Sequence, residues 1–148
     1  MARVVASAPG KLILFGEHFV VKGYRAIATS ISLRARVSVE EAEGSWVEFN
    51  SPTLNMRSRV TLSLEEPSSR EFEVYVEILR ALRRSGYSII PHRVTIESGM
   101  PVASGLGSSA ATSVAYALAY TTLLGDPLVG EDLLRISLEG EKVAHGKP

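Results

Sequence analysis

The chain has 148 residues, with 16 lysines and arginines against 16 aspartates and glutamates, and no cysteine. That length suffices for one domain with a real core, burying roughly two thirds of its unfolded surface, and the balanced charge removes the electrostatic argument for nucleic acid or an anionic membrane as partner. The missing thiols exclude a disulfide framework and a thiolate metal site, and fit a reducing, cytoplasmic compartment.

Taken in chain order, MARVVASAPGK has too short an apolar stretch before Pro9 for a signal-peptide core. Arg3 to Ala8 predicts a strand and Leu12 to Phe15 a second, joined by a Pro9-Gly10-Lys11 turn that carries a lysine. After the polar segment Gly16 to Arg25, the alternation of Ile31, Leu33, Ala35, Val37 and Val39 with polar neighbours predicts a half-buried strand from Ile31 to Glu40. Trp46 to Phe49 and Val60 to Leu64 are shorter strand candidates separated by a Ser51-Pro52 turn.

A helix is predicted from Glu71 to Ser85. Ser68 and Glu71 stand in capping-box spacing, Phe72, Tyr75, Val76, Leu79 and Leu82 form one apolar face, and Gly86 can terminate it. Arg80, Arg83 and Arg84 read as its solvated face. Val94 and Ile96 sit in a strand, a glycine-rich run follows, and Ala110, Ala111, Val114, Ala115, Leu118 and Ala119 recur at helical spacing until Gly125 and Pro127. The stretch Ala110 to Leu124 falls short of the ~20 apolar residues of a membrane span. A last helix is expected from Glu131 to about His145, with Leu134, Leu138 and Glu141 along one buried side. Strands precede most helices without regular alternation, which predicts an α+β domain and not a doubly wound parallel sheet.

The chemistry concentrates in Met100-Pro-Val-Ala-Ser-Gly-Leu-Gly-Ser-Ser-Ala-Ala111, where small residues join a strand to the first turn of a helix. Small side chains let main-chain N–H groups approach a ligand, and a helix start adds unpaired donors and about half a positive charge, so phosphate is the natural guest. The bland alternative is a tight connection with Ser108 as N-cap. A Walker loop is absent, because Gly140 lies one position too far from Gly146-Lys147 and Pro148 replaces the hydroxyl residue. Gly105-Leu-Gly-Ser-Ser-Ala110 does satisfy the dinucleotide form G-x-G-x-x-A, although Asp126, the acid at the expected distance, falls in a helix-ending Gly-Asp-Pro turn. In Ala8-Pro-Gly-Lys-Leu-Ile-Leu-Phe-Gly-Glu-His18, Lys11 offers a compact charge and Glu17 and His18 offer hydrogen bonds to a hydroxylated molecule. Taken singly, each is as well read as an exposed turn residue or a packing histidine.

PGKLILFGEHFVVKG and PVASGLGSSAA together resemble the first and second motifs of the superfamily of galactokinase, homoserine kinase, mevalonate kinase and phosphomevalonate kinase. GKLILFGEHFVV and the ending EGEKVAHGKP look like the mevalonate kinase branch, whereas galactokinases usually carry arginine-valine-asparagine where Gly10-Lys11-Leu12 stands. The resemblance implies a two-layer α+β domain like ribosomal protein S5 domain 2, ATP and Mg²⁺ as cofactors, and the mevalonate hydroxyl as acceptor, on the way to isoprenoid precursors. It also implies no nucleic-acid or membrane partner, and allows a homodimer of the complete protein.

By the same resemblance, Pro101, Val102, Ala103, Ser104, Gly105, Leu106, Gly107, Ser108, Ser109 and Ala110 would hold the ATP phosphates. Ser109, with Ser108 as the nearby alternative, and Glu141 would bind the metal. One hydroxyl and one carboxylate suit Mg²⁺, which keeps phosphates and waters as its other ligands. Lys11 would be catalytic, beside the transferred phosphoryl group, and Lys11, Glu17 and His18 would bind the alcohol. In the family, the run after His-Gly-Lys-Pro continues to an aspartate proposed as the base, followed by a C-terminal domain. Residues 1–148 are therefore expected to be an N-terminal nucleotide-binding domain ending just before that aspartate.

Overall fold

The computed structural model describes residues 1–145. Five strands, β1 (Arg3–Phe15), β2 (Ile27–Glu41), β3 (Trp46–Ser51), β4 (Met56–Thr61) and β5 (His92–Ser98), form one sheet in the order β1-β2-β5-β3-β4. The pairs β1–β2, β2–β5 and β3–β4 are antiparallel and β3–β5 is parallel. Three helices, α1 (Glu73–Arg84), α2 (Ser108–Leu123) and α3 (Gly130–His145), complete the α+β domain. None of the described helices is long and apolar enough to cross a membrane.

One sheet face is apolar because the strands alternate in register. Val37 lies beside Ile96 and Val39 beside Val94, and these join Val47, Phe49 and Val60 in the core. Glu48 occupies the opposite face, where Arg59 and Arg93 approach it at 2.7 and 3.3 Å. The Arg59 guanidinium, seconded by Arg93, holds the Glu48 carboxyl below its ordinary value. Helix α2 packs across β1 and β2, and α1 packs on α3. In α1, Val76, Ile78, Leu79 and Leu82 are fully buried, each contributing on the order of 1.5–3 kcal/mol. Its buried surface is wider than the predicted stripe because α1 meets both the sheet's core and α3.

Several expectations are corrected. The two predicted N-terminal strands are one strand: β1 lies at the sheet edge, where Pro9 forfeits no interior hydrogen bond. Pairing jumps from Pro9↔Arg34 to Lys11↔Ser30 at Gly10, so the lysine sits at a register irregularity and not in a turn. Strand β4 starts at Met56 and stops before Leu64, which is in a left-handed conformation at φ 61°. Ser58, an inward-facing serine paired with Ser68, disguised this strand. That pairing also takes Ser68 away from capping: Glu71 lies in a 3-10 turn, and α1 starts at Glu73 without a side-chain cap. At its other end Gly86, at φ 95°, closes a Schellman motif, with the Gly86 and Tyr87 N–H groups donating to Arg83 and Leu82. Arg80 and Arg83 are not simply solvated, since Arg80 donates twice to the Leu64 carbonyl and Arg83 donates to Leu62. In α3 the buried side carries Ile136, Ser137 and Glu141, while Leu134 is 55% exposed.

His92 is fully buried where β5 meets α2. Its Nδ1 faces the Ile90 carbonyl at 2.7 Å, which can only accept, so Nδ1 carries the proton and Nε2 accepts from the Tyr116 hydroxyl at 2.9 Å. Burial pushes this imidazole down to about 4.

Candidate active site

Between β5 and α2 the chain turns through Ala103, Gly105 and Gly107, all at positive φ. Gly107, at φ 76°, is the residue before α2 and supplies no side-chain cap, so the first-turn amides of a 16-residue helix are left for a ligand. Ser108 is the first helical residue and not the N-cap. Its hydroxyl pairs with Ser98 Oγ at 2.9 Å, and Ser98 Oγ also accepts from the Met100 N–H.

The loop rests on β1. The Lys11 N–H donates to the Leu106 carbonyl at 2.8 Å, and Lys11 Nζ reaches the Gly105 carbonyl at 2.8 Å. Gly10 makes this contact sterically feasible: a Cβ there would lie 2.4 Å from Met100 Sδ and 2.8 Å from the Leu106 oxygen. Lys11, Pro101, Ala103 to Ala110 and Glu141 thus surround one concavity of about 440 Å³. Val102 turns instead into the cleft next door.

At the inner edge of the concavity, Ser109 Oγ donates to Glu141 Oε1 at 2.7 Å, joining α2 to α3. Glu141 is buried, and Ser113 Oγ, one turn further along α2, donates to the same oxygen at 3.0 Å. Among the described residues no cluster of three or more His, Cys, Asp or Glu side chains could cage a metal. A hydroxyl and a carboxylate beside a hollow with main-chain amides on its wall match the hard-oxygen, partly hydrated preference of Mg²⁺ better than that of a fully protein-ligated ion.

Beside the loop lies a second cleft of about 390 Å³, which shares Ala103, Ser108 and Ser109 with the first concavity and has Phe72, Val74, Tyr75 and Ile96 in one wall and Arg70, Glu71 and Glu73 at its margin. Sequence reasoning missed it because Ser51, Thr53 and Leu54 reach it from the 43–70 stretch, whose strand and turn pattern gives no sign of a pocket. Thr53 Oγ1 accepts from the Ser98 N–H at 3.1 Å, tying that turn to the strand that leads into the loop.

Glu17 and His18 are exposed after β1, 3.7 Å from one another, and line neither hollow. The dinucleotide alternative requires a second parallel strand after α2. Here Asp126 caps the end of α2, its N–H donating to Thr121, and the chain passes on into α3. Gly146, Lys147 and Pro148, on which the Walker comparison turned, lie outside the described residues.

Comparison with known proteins agrees with this fold. The family described as GHMP kinases N terminal domain matches residues 73–148. The mevalonate kinase of Aeropyrum pernix is 48% identical over 145 residues, covering 97% of this chain and 44% of that protein. The mevalonate kinase of Archaeoglobus fulgidus is 40% identical over 114 residues, covering 76% of this chain and 35% of its own. The crystal structure of the Methanococcus jannaschii mevalonate kinase matches with a TM-score of 0.86 at 26% identity, over 99% of this chain and 48% of that one. The chain spans less than half the length of these relatives. With a single five-stranded sheet and its helices inside the matched architecture, the chain belongs to the GHMP kinase family and carries its N-terminal portion.

Proposed function

We propose that the complete protein transfers the γ-phosphoryl group of ATP to the hydroxyl of mevalonate, giving 5-phosphomevalonate, and that residues 1–148 supply the phosphate loop, the metal ligands and part of the alcohol's pocket. The observation that carries this is the Ser109–Glu141 hydrogen bond of 2.7 Å at the start of an uncapped helix, with Lys11 of β1 resting on the loop that leads into it. The choice of mevalonate is supported by relatives of that name at 48% and 40% identity.

Phosphoryl transfer is mostly positioning and electrostatic stabilisation, so a sparse set of groups suffices. The amides of Gly105 to Ala110 hold the β- and γ-phosphates, and the Lys11 ammonium turns from the Gly105 carbonyl toward the transferred group. Ser109 and Glu141 hold Mg²⁺. Bound there, Mg²⁺ neutralises charge on the phosphate oxygens. The adenosine end occupies the adjoining cleft, where Phe72, Val74, Tyr75 and Ile96 offer an apolar wall. Glu17 and His18, exposed and outside both hollows, are assigned to the alcohol on the resemblance of the first motif alone.

Calorimetric titration of the 148-residue chain with ATP and Mg²⁺ tests the nucleotide site, and coupled ADP release by the complete protein, with mevalonate and galactose in parallel, tests the acceptor. Ser109→Ala and Glu141→Gln in the complete protein are each expected to lower kcat by ~10²-fold or more, in the manner of lost preorganised electrostatic groups. Unchanged rates would remove both from the metal site, and preference for galactose would overturn the acceptor.

A further inference from the structure

The Glu141 carboxylate is gripped from two successive turns of α2. Ser109 and Ser113 stand four residues apart, which stacks their hydroxyls on one helix face, and both donate to Oε1, at 2.7 and 3.0 Å. Their surroundings differ. Ser109 lines both hollows, whereas Ser113 is fully buried and lines neither. Ser113 therefore cannot touch a nucleotide, and its hydroxyl is spent on the carboxylate.

We propose that Ser113 is a positioning residue for the metal site: it keeps a hydroxyl on Glu141 Oε1 from beneath the loop and so fixes the orientation in which the carboxylate would meet Mg²⁺. This rests on the assignment of Ser109 and Glu141 to Mg²⁺. Ser109 Oγ would offer Mg²⁺ a lone pair, whereas Ser113, buried away from both hollows, meets only the protein side of the site and stays on Oε1 whether or not the metal is bound. Hydrogen-bonded supports of this kind orient metal ligands and commonly govern affinity by ten- to hundredfold.

The test is the ratio of ATP affinities with and without Mg²⁺, measured by calorimetry on the 148-residue chain. The native chain is expected to bind ATP more tightly with Mg²⁺, and Ser113→Ala to lose about tenfold of that gain while binding metal-free ATP as before. Ser137→Ala is the control, because it removes another buried hydroxyl, bonded to the Leu133 carbonyl at 2.7 Å in α3, and should keep the full gain. A purely structural role for Ser113 would weaken ATP binding equally with and without the metal. Ser113→Ala retaining the native Mg²⁺ gain would overturn the proposal. If the native chain itself shows no Mg²⁺ gain, the assignment of Ser109 and Glu141 fails first and Ser113 falls with it.

Discussion

Replacing Gly10 by alanine should damage stability and nucleotide binding together, because β1 and the glycine-rich loop meet at this residue without room for a methyl group. The added carbon would sit 2.4 Å from Met100 Sδ, 2.8 Å from the Leu106 carbonyl oxygen and 3.2 Å from Ile31 Cδ1. Met100 is only 2% exposed, so its side chain has little space to swing aside. Overpacking of this kind costs about 1–3 kcal/mol. If the loop yields instead, the Lys11 N–H to Leu106 bond is lost as well, a further contribution of about 1 kcal/mol. A total near 2–3 kcal/mol should lower a urea midpoint by about 1 M, given slopes of about 1–3 kcal/mol/M for small proteins. Calorimetry should show ATP binding in Mg²⁺ weakened at least about tenfold, equivalent to about 1.4 kcal/mol. A variant with native midpoint and native affinity would refute the close-contact reasoning. One that is destabilised but binds ATP normally would show that Met100 absorbs the strain and that the loop does not depend on β1.

Two further outcomes are expected from the framework around the site. His92 has its folded value lowered from 6.5 to about 4, so between those limits the unfolded chain takes up a proton that the folded chain refuses. The stability from this group is complete above pH 6.5 and falls by about 3 kcal/mol by pH 4. Urea midpoints at pH 7 and 4.5 should therefore diverge in the native protein and converge in His92→Gln; equal divergence in both would exclude His92 as the cause. Arg80 donates to the Leu64 carbonyl at 3.0 and 2.7 Å and pairs with Glu77 at 3.2 Å. Arg80→Ala should lower stability by about 1.5–3 kcal/mol, and a melting temperature within a degree of native would mean the guanidinium is replaceable by solvent.

The sequence alone determined the parts that repeat a local period. Alternation along 31–40 and apolar spacing along 72–82 are imposed by strand and helix geometry, so the core residues Val37, Val39, Leu79 and Leu82 could be named before the fold was known. The glycine-rich run was legible as a tight strand-to-helix connection for the same local reason, since glycine admits the positive φ that Gly105 and Gly107 adopt there.

Tertiary structure decided whatever depends on a distant partner. Whether Pro9-Gly10-Lys11 makes a turn or a strand irregularity depends on β2 and on the Leu106 carbonyl, 95 residues from Lys11 in sequence. Ser68 could have capped α1, but Ser58 claimed its hydroxyl. Glu141 was placed on a buried side with Leu134 by periodicity, yet Leu134 is exposed and the carboxylate is fixed by Ser109 and Ser113 on another helix. The cleft beside the loop takes its walls from several separate segments, none with a pattern of its own, because a concavity is a property of packed elements and not of any one stretch of chain.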